Sequence, residues 1–169
     1  VKKLIFFIIA ILLVLSSCDI IDEEDVDDTP SYIGTWISTN SGKYANGDKF
    51  KATTTLKISK NEITKIYVIN RTSSEGTIVN THKDENKYSF RSEGSNKLIL
   101  TPAEMTIGDR WYDISDERAL RTAFEAYDEY KYPDDEWASR YKGITDVKSW
   151  EYSISGDIIT IYEIKYTKQ

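Results

Sequence analysis

Phe50-Lys51-Ala52-Thr53-Thr54-Thr55-Leu56-Lys57-Ile58-Ser59 alternates without a break. Ala52, Thr54, Leu56 and Ile58 fall on one side, and Lys51, Thr53, Thr55 and Lys57 on the other. A period of two is the mark of a half-buried strand. Lys60-Asn61 then turns the chain, and Glu62 to Asn70 makes a second strand. The same texture spreads in both directions. Upstream, Tyr32 to Thr39 is β-rich and leads into turn residues, Asn40-Ser41-Gly42 and Asn46-Gly47-Asp48. Downstream, Glu75-Gly76 precedes the short run Thr77-Ile78-Val79. Lys87 to Arg91 and Lys97 to Thr101 flank Glu93-Gly94-Ser95-Asn96. Short strands at regular spacing with turn signals between them predict an all-β, antiparallel barrel or sandwich.

The pattern changes after Trp111. Ser115 can cap a helix, with Asp116 and Glu117 favourable in its first turn. Leu120, Ala123, Phe124, Tyr127 and Tyr130 follow at helical spacing. The expected helix spans 116–131, turns Leu120, Phe124 and Tyr127 inward, and ends at Pro133. Asp134 to Lys142 predicts a second short helix, with Gly143 as its stop. The helical insert is thus expected over 113–143. Ser149 to Ser155 alternates again, Gly156-Asp157 turns, and Ile158 to Tyr166 returns antiparallel.

The N-terminus carries a different signal. Lys2-Lys3 precedes an apolar run from Leu4 to Leu15, and Ser16-Ser17-Cys18 follows. Positive charge, a short apolar stretch and small residues at a cleavage site make a secretory signal. The run is shorter than the roughly 20 residues a membrane span needs. Leu15-Ser16-Ser17-Cys18 resembles the lipobox of bacterial lipoproteins. That resemblance implies diacylglyceryl transfer to the Cys18 thiol and cleavage between Ser17 and Cys18. Residues 1–17 would then be the signal peptide and 18–30 the lipidated cysteine with its tether. Seven of the ten residues from Asp19 to Asp28 are acidic, a composition too polar and charged to fold alone. This acidic cluster resembles the signal that follows the lipidated cysteine in surface-exposed lipoproteins of Bacteroidetes. The expected location is the bacterial outer membrane, lipid-anchored, with the domain periplasmic or surface-facing.

The remaining domain, 31–169, carries Gly34-Thr35-Trp36 on its first expected strand. This resembles the Gly-x-Trp signature of the lipocalin family. The resemblance implies an up-and-down barrel of about eight strands, with Trp36 plugging the closed end and Gly34 letting the chain pass close by. The late hairpin from Tyr152 to Ile161 is similar to that of small bacterial lipocalin-like lipoproteins. Two features depart from the family. Its arginine late in the barrel, packed over the tryptophan, has no counterpart after Arg140. Its helix follows the last strand, whereas here the helical stretch comes before the last hairpin. Trp36 also reads as an ordinary core aromatic on a strand.

Charge and inventory narrow the function. The net charge is −6, and −8 once the two signal lysines are removed. An acidic chain is poorly suited to nucleic acid, whose phosphates call for Lys and Arg. His82 is the only histidine and Cys18 the only cysteine. Zinc sites and His-dependent triads therefore lack ligands and partners, and no catalytic residue, metal site or cofactor is assigned. His82 itself reads as a solvated loop residue. Aromatics are the remaining lead. Trp111, Tyr112, Tyr127, Trp137 and Tyr141 cluster in and before the insert, where they either pack it onto the sheet or line a ligand site. The expected function is a lipid-anchored envelope protein that binds a small apolar or amphipathic ligand and is not an enzyme. The alternative is a surface adhesion or assembly sandwich that meets protein or glycan.

Overall fold

The structure is a computed structural model and describes residues 30–169. Cys18, the signal peptide 1–17 and the tether up to residue 29 lie outside the described residues. Among the described residues nine strands and two helices follow in the order β1 (Gly34–Lys43), β2 (Lys49–Ile58), β3 (Glu62–Thr72), β4 (Ile78–Ser92), β5 (Lys97–Ile107), β6 (Arg110–Asp113), α1 (Glu117–Tyr127), α2 (Asp134–Thr145), β7 (Lys148–Ser155), β8 (Ile158–Ile161) and β9 (Ile164–Lys168). Every pairing is antiparallel. The lateral order β4-β3-β2-β1-β9-β8-β7-β5 closes through the β4–β5 ladder, giving an eight-stranded barrel with β6 as an extra strand on β5. The lipocalin-like architecture expected from Gly34 and Trp36 is present.

Alternation decides what the barrel encloses. Trp36, Leu56, Ile58, Ile63, Tyr88, Leu98, Leu100, Trp150, Ile159, Ile161 and Tyr166 point inward and form one buried cluster. An eight-stranded barrel is just wide enough for side chains to fill, and these large residues fill its closed end. Trp36 is fully buried, and its indole N–H donates to the Tyr32 carbonyl at 2.8 Å. The place over its ring is taken by a lysine rather than an arginine. Lys168 pairs with Trp36 across the β1–β9 seam, with Nζ 5.5 Å from the ring centroid. Gly34 makes this approach possible. A Cβ there would stand 3.1 Å from Lys168 Cε, and its φ of +143° disfavours other residues.

The seam joins only Trp36 with Lys168 and Ile37 with Thr167. Beyond it β1 continues as a free edge, and β1–β4 extend past the barrel as an open sheet. Several expectations are corrected here. Asn40-Ser41-Gly42 lies inside β1, and the turn comes at Tyr44–Asp48. Thr77–Val79 and Lys87–Arg91 are not separate strands with a loop between. Residues 78–92 form one long strand, so His82 sits on β4, because its ladder to β3 overrides a polar sequence. Ile158–Tyr166 splits into β8 and β9 at Tyr162-Glu163, both with positive φ. Three strands, not one hairpin, therefore follow the helices.

The helices begin and end differently from expectation too. Asp116 is the N-cap of α1, accepting from the Ala119 N–H at 2.9 Å, while the Ser115 hydroxyl donates to Asp113. The helix stops at Tyr127, and Tyr127 is 56% exposed rather than inward. Gly143 lies within α2 rather than ending it. Leu120, Phe124, Tyr132 and Trp137 form a second core with Ile107 and Ile114. Met105 and Ile107 share the inward face of β5, and the insert packs against that face of β5 and against β6.

Candidate functional site

The five aromatic candidates do not converge on one surface. Trp111 and Tyr112 are neighbours on β6 and therefore face opposite sides of the sheet. Trp111 is on the outer side, 40% exposed, with the Lys87 ammonium 4.4 Å from its ring centroid. The Glu104 carboxylate, 2.6 Å from Lys87, holds that lysine above its usual range. Tyr112 lines an open groove of about 520 Å³ against Ala119, Thr122 and Ala123 of α1. Trp137 is 2% exposed, and its indole donates to Glu117 at 2.9 Å. Tyr141 stacks on Trp137 and donates its hydroxyl to the Ile114 carbonyl at 3.1 Å. Trp137 and Tyr141 are thus the packing and hydrogen-bonding glue of the insert.

Tyr127 has a different setting. It stands at the rim of a cleft of about 220 Å³ between the β4–β5 hairpin and the insert. Met105, Ile107 and Phe124 supply the apolar wall, while His82, Asp84, Asp128 and Arg140 supply polar groups. The rim is built so that the Tyr127 ring lies over Gly108, where a Cβ would meet it at 3.7 Å. A smaller cavity of about 120 Å³ lined by Gly108 and Trp111 adjoins this cleft through Lys83 and Thr106.

The polar side of the cleft is ordered by its own contacts. His82 and Asp84 are two apart on β4 and share a face, with Nε2 2.9 Å from Oδ2. Arg140 reaches from α2 over the Phe124 ring, 4.1 Å from its centroid, and donates to the Tyr132 hydroxyl at 2.5 Å. Asp128 accepts from that same hydroxyl and raises the Tyr132 phenol above its ordinary range. The arrangement presents charges of both signs and aromatic faces around a partly apolar slot. No hydroxyl or thiol nucleophile is hydrogen-bonded to His82 among the described residues. No group of three His, Cys, Asp or Glu among them is gathered as a metal site.

The sequence reading missed the cleft because its residues come from 82–84, 105–108 and 124–140, joined only by barrel closure. One signal was available: Asn80, His82, Asp84 and Asn86 alternate with Thr81, Lys83 and Glu85. Polar on both faces, that stretch reads as a loop. Comparison with protein families, with curated proteins and with solved structures finds no match for the chain.

Proposed function

We propose that this chain is a lipid-anchored binding protein of the bacterial cell envelope, holding a small amphipathic ligand between the open half of its barrel and the helical insert. The observation that carries the ligand reading is the cleft walled by Met105, Ile107, Phe124 and Tyr127, with Arg140 beside it. Concave, partly apolar sites with a few placed polar groups are the usual form of small-molecule sites. The closed end is packed solid by Trp36 and its neighbours, so the ligand belongs at the mouth and not in the barrel core. The anchor rests on Leu15-Ser16-Ser17-Cys18 and the acidic run after it.

A neutral fluorescent apolar probe tests the ligand reading. It should bind the wild-type domain, and Tyr127→Ala should weaken it several-fold with folding intact, since Tyr127 is exposed. Failure of the probe to bind the wild type overturns the ligand reading in favour of a surface adhesion module. Mass spectrometry of the mature N-terminus tests the anchor. A diacylglyceryl-modified Cys18 is expected, and an unmodified N-terminus elsewhere overturns it.

A further inference from the structure

Two lysines of this acidic chain point into the barrel mouth. On β3, Lys65 alternates with the fully buried Ile63 and stands level with Leu56 on β2 and Asn86 on β4. It therefore takes the inward face, and it is half-buried there. On β7, Lys148 stands level with Leu100 and alternates with the buried Trp150, so it faces inward too, at the solvent-open rim. Between them on β4 is Tyr88, whose ring centroid lies 5.8 Å from Lys148 Nζ. Neither ammonium forms an ion pair, and the Tyr88 hydroxyl makes no hydrogen bond, among the described residues.

Such an arrangement runs against the chain's own interest. Like charges facing a shared interior repel each other, and a half-buried cation without a partner loses hydration with nothing in return. The Lys65 ammonium is held below the usual lysine range by burial, with the Lys148 charge adding to the effect and Asp84 opposing it. Among the described residues 21 are acidic and 20 basic, so carboxylates were available for pairing. Elsewhere the chain uses them: Lys87 has Glu104, Lys131 has Glu125, and Arg71 has Asp48. Inward cations beside a free phenol form a set of donors to which no carboxylate among the described residues is directly bonded, although Asp84 is near enough to act on Lys65.

We propose that Lys65, Lys148 and Tyr88 receive the oxyanion end, carboxylate or phosphate, of the ligand whose apolar part lies in the neighbouring cleft. This deepens the binding reading above and rests on it. Continuity supports the placement. Met105 and Asp84 line the cleft, and Met105 reaches Lys65 across the sheet through Asn86 alone. A ligand with its apolar end against Phe124 and Tyr127 would bring its charged end to the lysines. Charge-assisted hydrogen bonds in a partly dehydrated site are stronger than neutral ones.

The test compares octanoate, octyl phosphate, octan-1-ol and inorganic phosphate on the domain comprising residues 30–169, by calorimetry and tryptophan fluorescence. The two octyl anions should bind at least about tenfold tighter than octan-1-ol, as charge-assisted bonds imply. Lys65→Met with Lys148→Met should abolish that preference while leaving octan-1-ol binding unchanged. Thermal melting checks that the double variant folds. Octanoate against octyl phosphate then tells which oxyanion is preferred. Equal binding of octan-1-ol and the anions, or a preference that survives the double variant, overturns the lysine site and leaves the cleft reading standing. No binding by any octyl compound overturns both. If inorganic phosphate binds as tightly as octyl phosphate and is lost in the double variant, the lysine site stands and the apolar cleft reading falls.

Discussion

The closed end of the barrel and the helical insert each bury a tryptophan, and they hold it by different means. Trp36 is locked by backbone: its indole donates to a main-chain carbonyl, and its neighbours are apolar residues on paired strands. Trp137 is locked by side chains: its indole donates to the Glu117 carboxylate, and charged groups tie the surrounding helices together. Arg121 alone bonds Glu125, Asp134 and the Tyr132 carbonyl. Apolar burial is neither screened by salt nor titrated by mild acid, whereas ion pairs are screened by one and weakened by the other. The same chain therefore has a core held by packing and backbone pairing, and an insert whose apolar core is tied down by ionised groups as well.

The sharpest way to break the contrast is to remove each region's main ring. Trp36→Ala should cost about 3–5 kcal/mol or more and unfold barrel and insert together, read by denaturant titration. Phe124→Ala should cost about 3 kcal/mol, since that ring is buried in the insert core. Here hydrogen exchange should quicken in α1 and α2 while the barrel strands stay protected. Uniform loss across both regions would make them one cooperative unit. Asp116→Ala removes the α1 cap and should cost about 1 kcal/mol, again confined to the insert.

Acid sharpens the comparison without any mutation. Lys131 first, then Arg121 and the Tyr132 N–H, hold the Glu125 carboxyl below its ordinary range. A carboxylate whose folded pKa is depressed stabilises fully above its unfolded pKa and loses that contribution as pH falls through the folded value. Exchange protection in α1–α2 should therefore fall below about pH 4.5, ahead of the barrel strands, and Glu125→Gln should remove that difference. The smallest effect belongs to Lys57→Ala, on the exposed outer side of β2, at under about 0.5 kcal/mol by any stability measurement. A larger loss there would mean that the outer face of the closed end carries a contact of its own.

How far residues announce their place follows the same division. The closed end could be read directly, because Leu56, Ile58 and Ile63 alternate with polar neighbours and Gly34 and Trp36 mark its floor. The insert was readable as helix but not as a surface: Tyr127 has the spacing of an inward residue, yet α1 ends there and the ring turns to the cleft. The mouth was hidden most. His82 and Asp84 lie on a stretch of β4, Asn80 to Lys87, without apolar residues, held by cross-strand pairing that no local pattern reveals. Lys65 and Lys148 stand far apart in sequence, and only closure aims both inward.

Closure itself joins the two ends of the domain. β1 opens it and β9 ends it, and they meet at two residue pairs. A chain emerging from the ribosome exposes Trp36 long before Tyr166 and Lys168 exist to cover it. Throughout synthesis the β1 edge is an unfinished strand, open to pairing with any other extended segment. Non-local pairing of this kind also makes folding slow. Shielding of the nascent chain by chaperones should thus govern the yield of this protein more than the strength of its finished core.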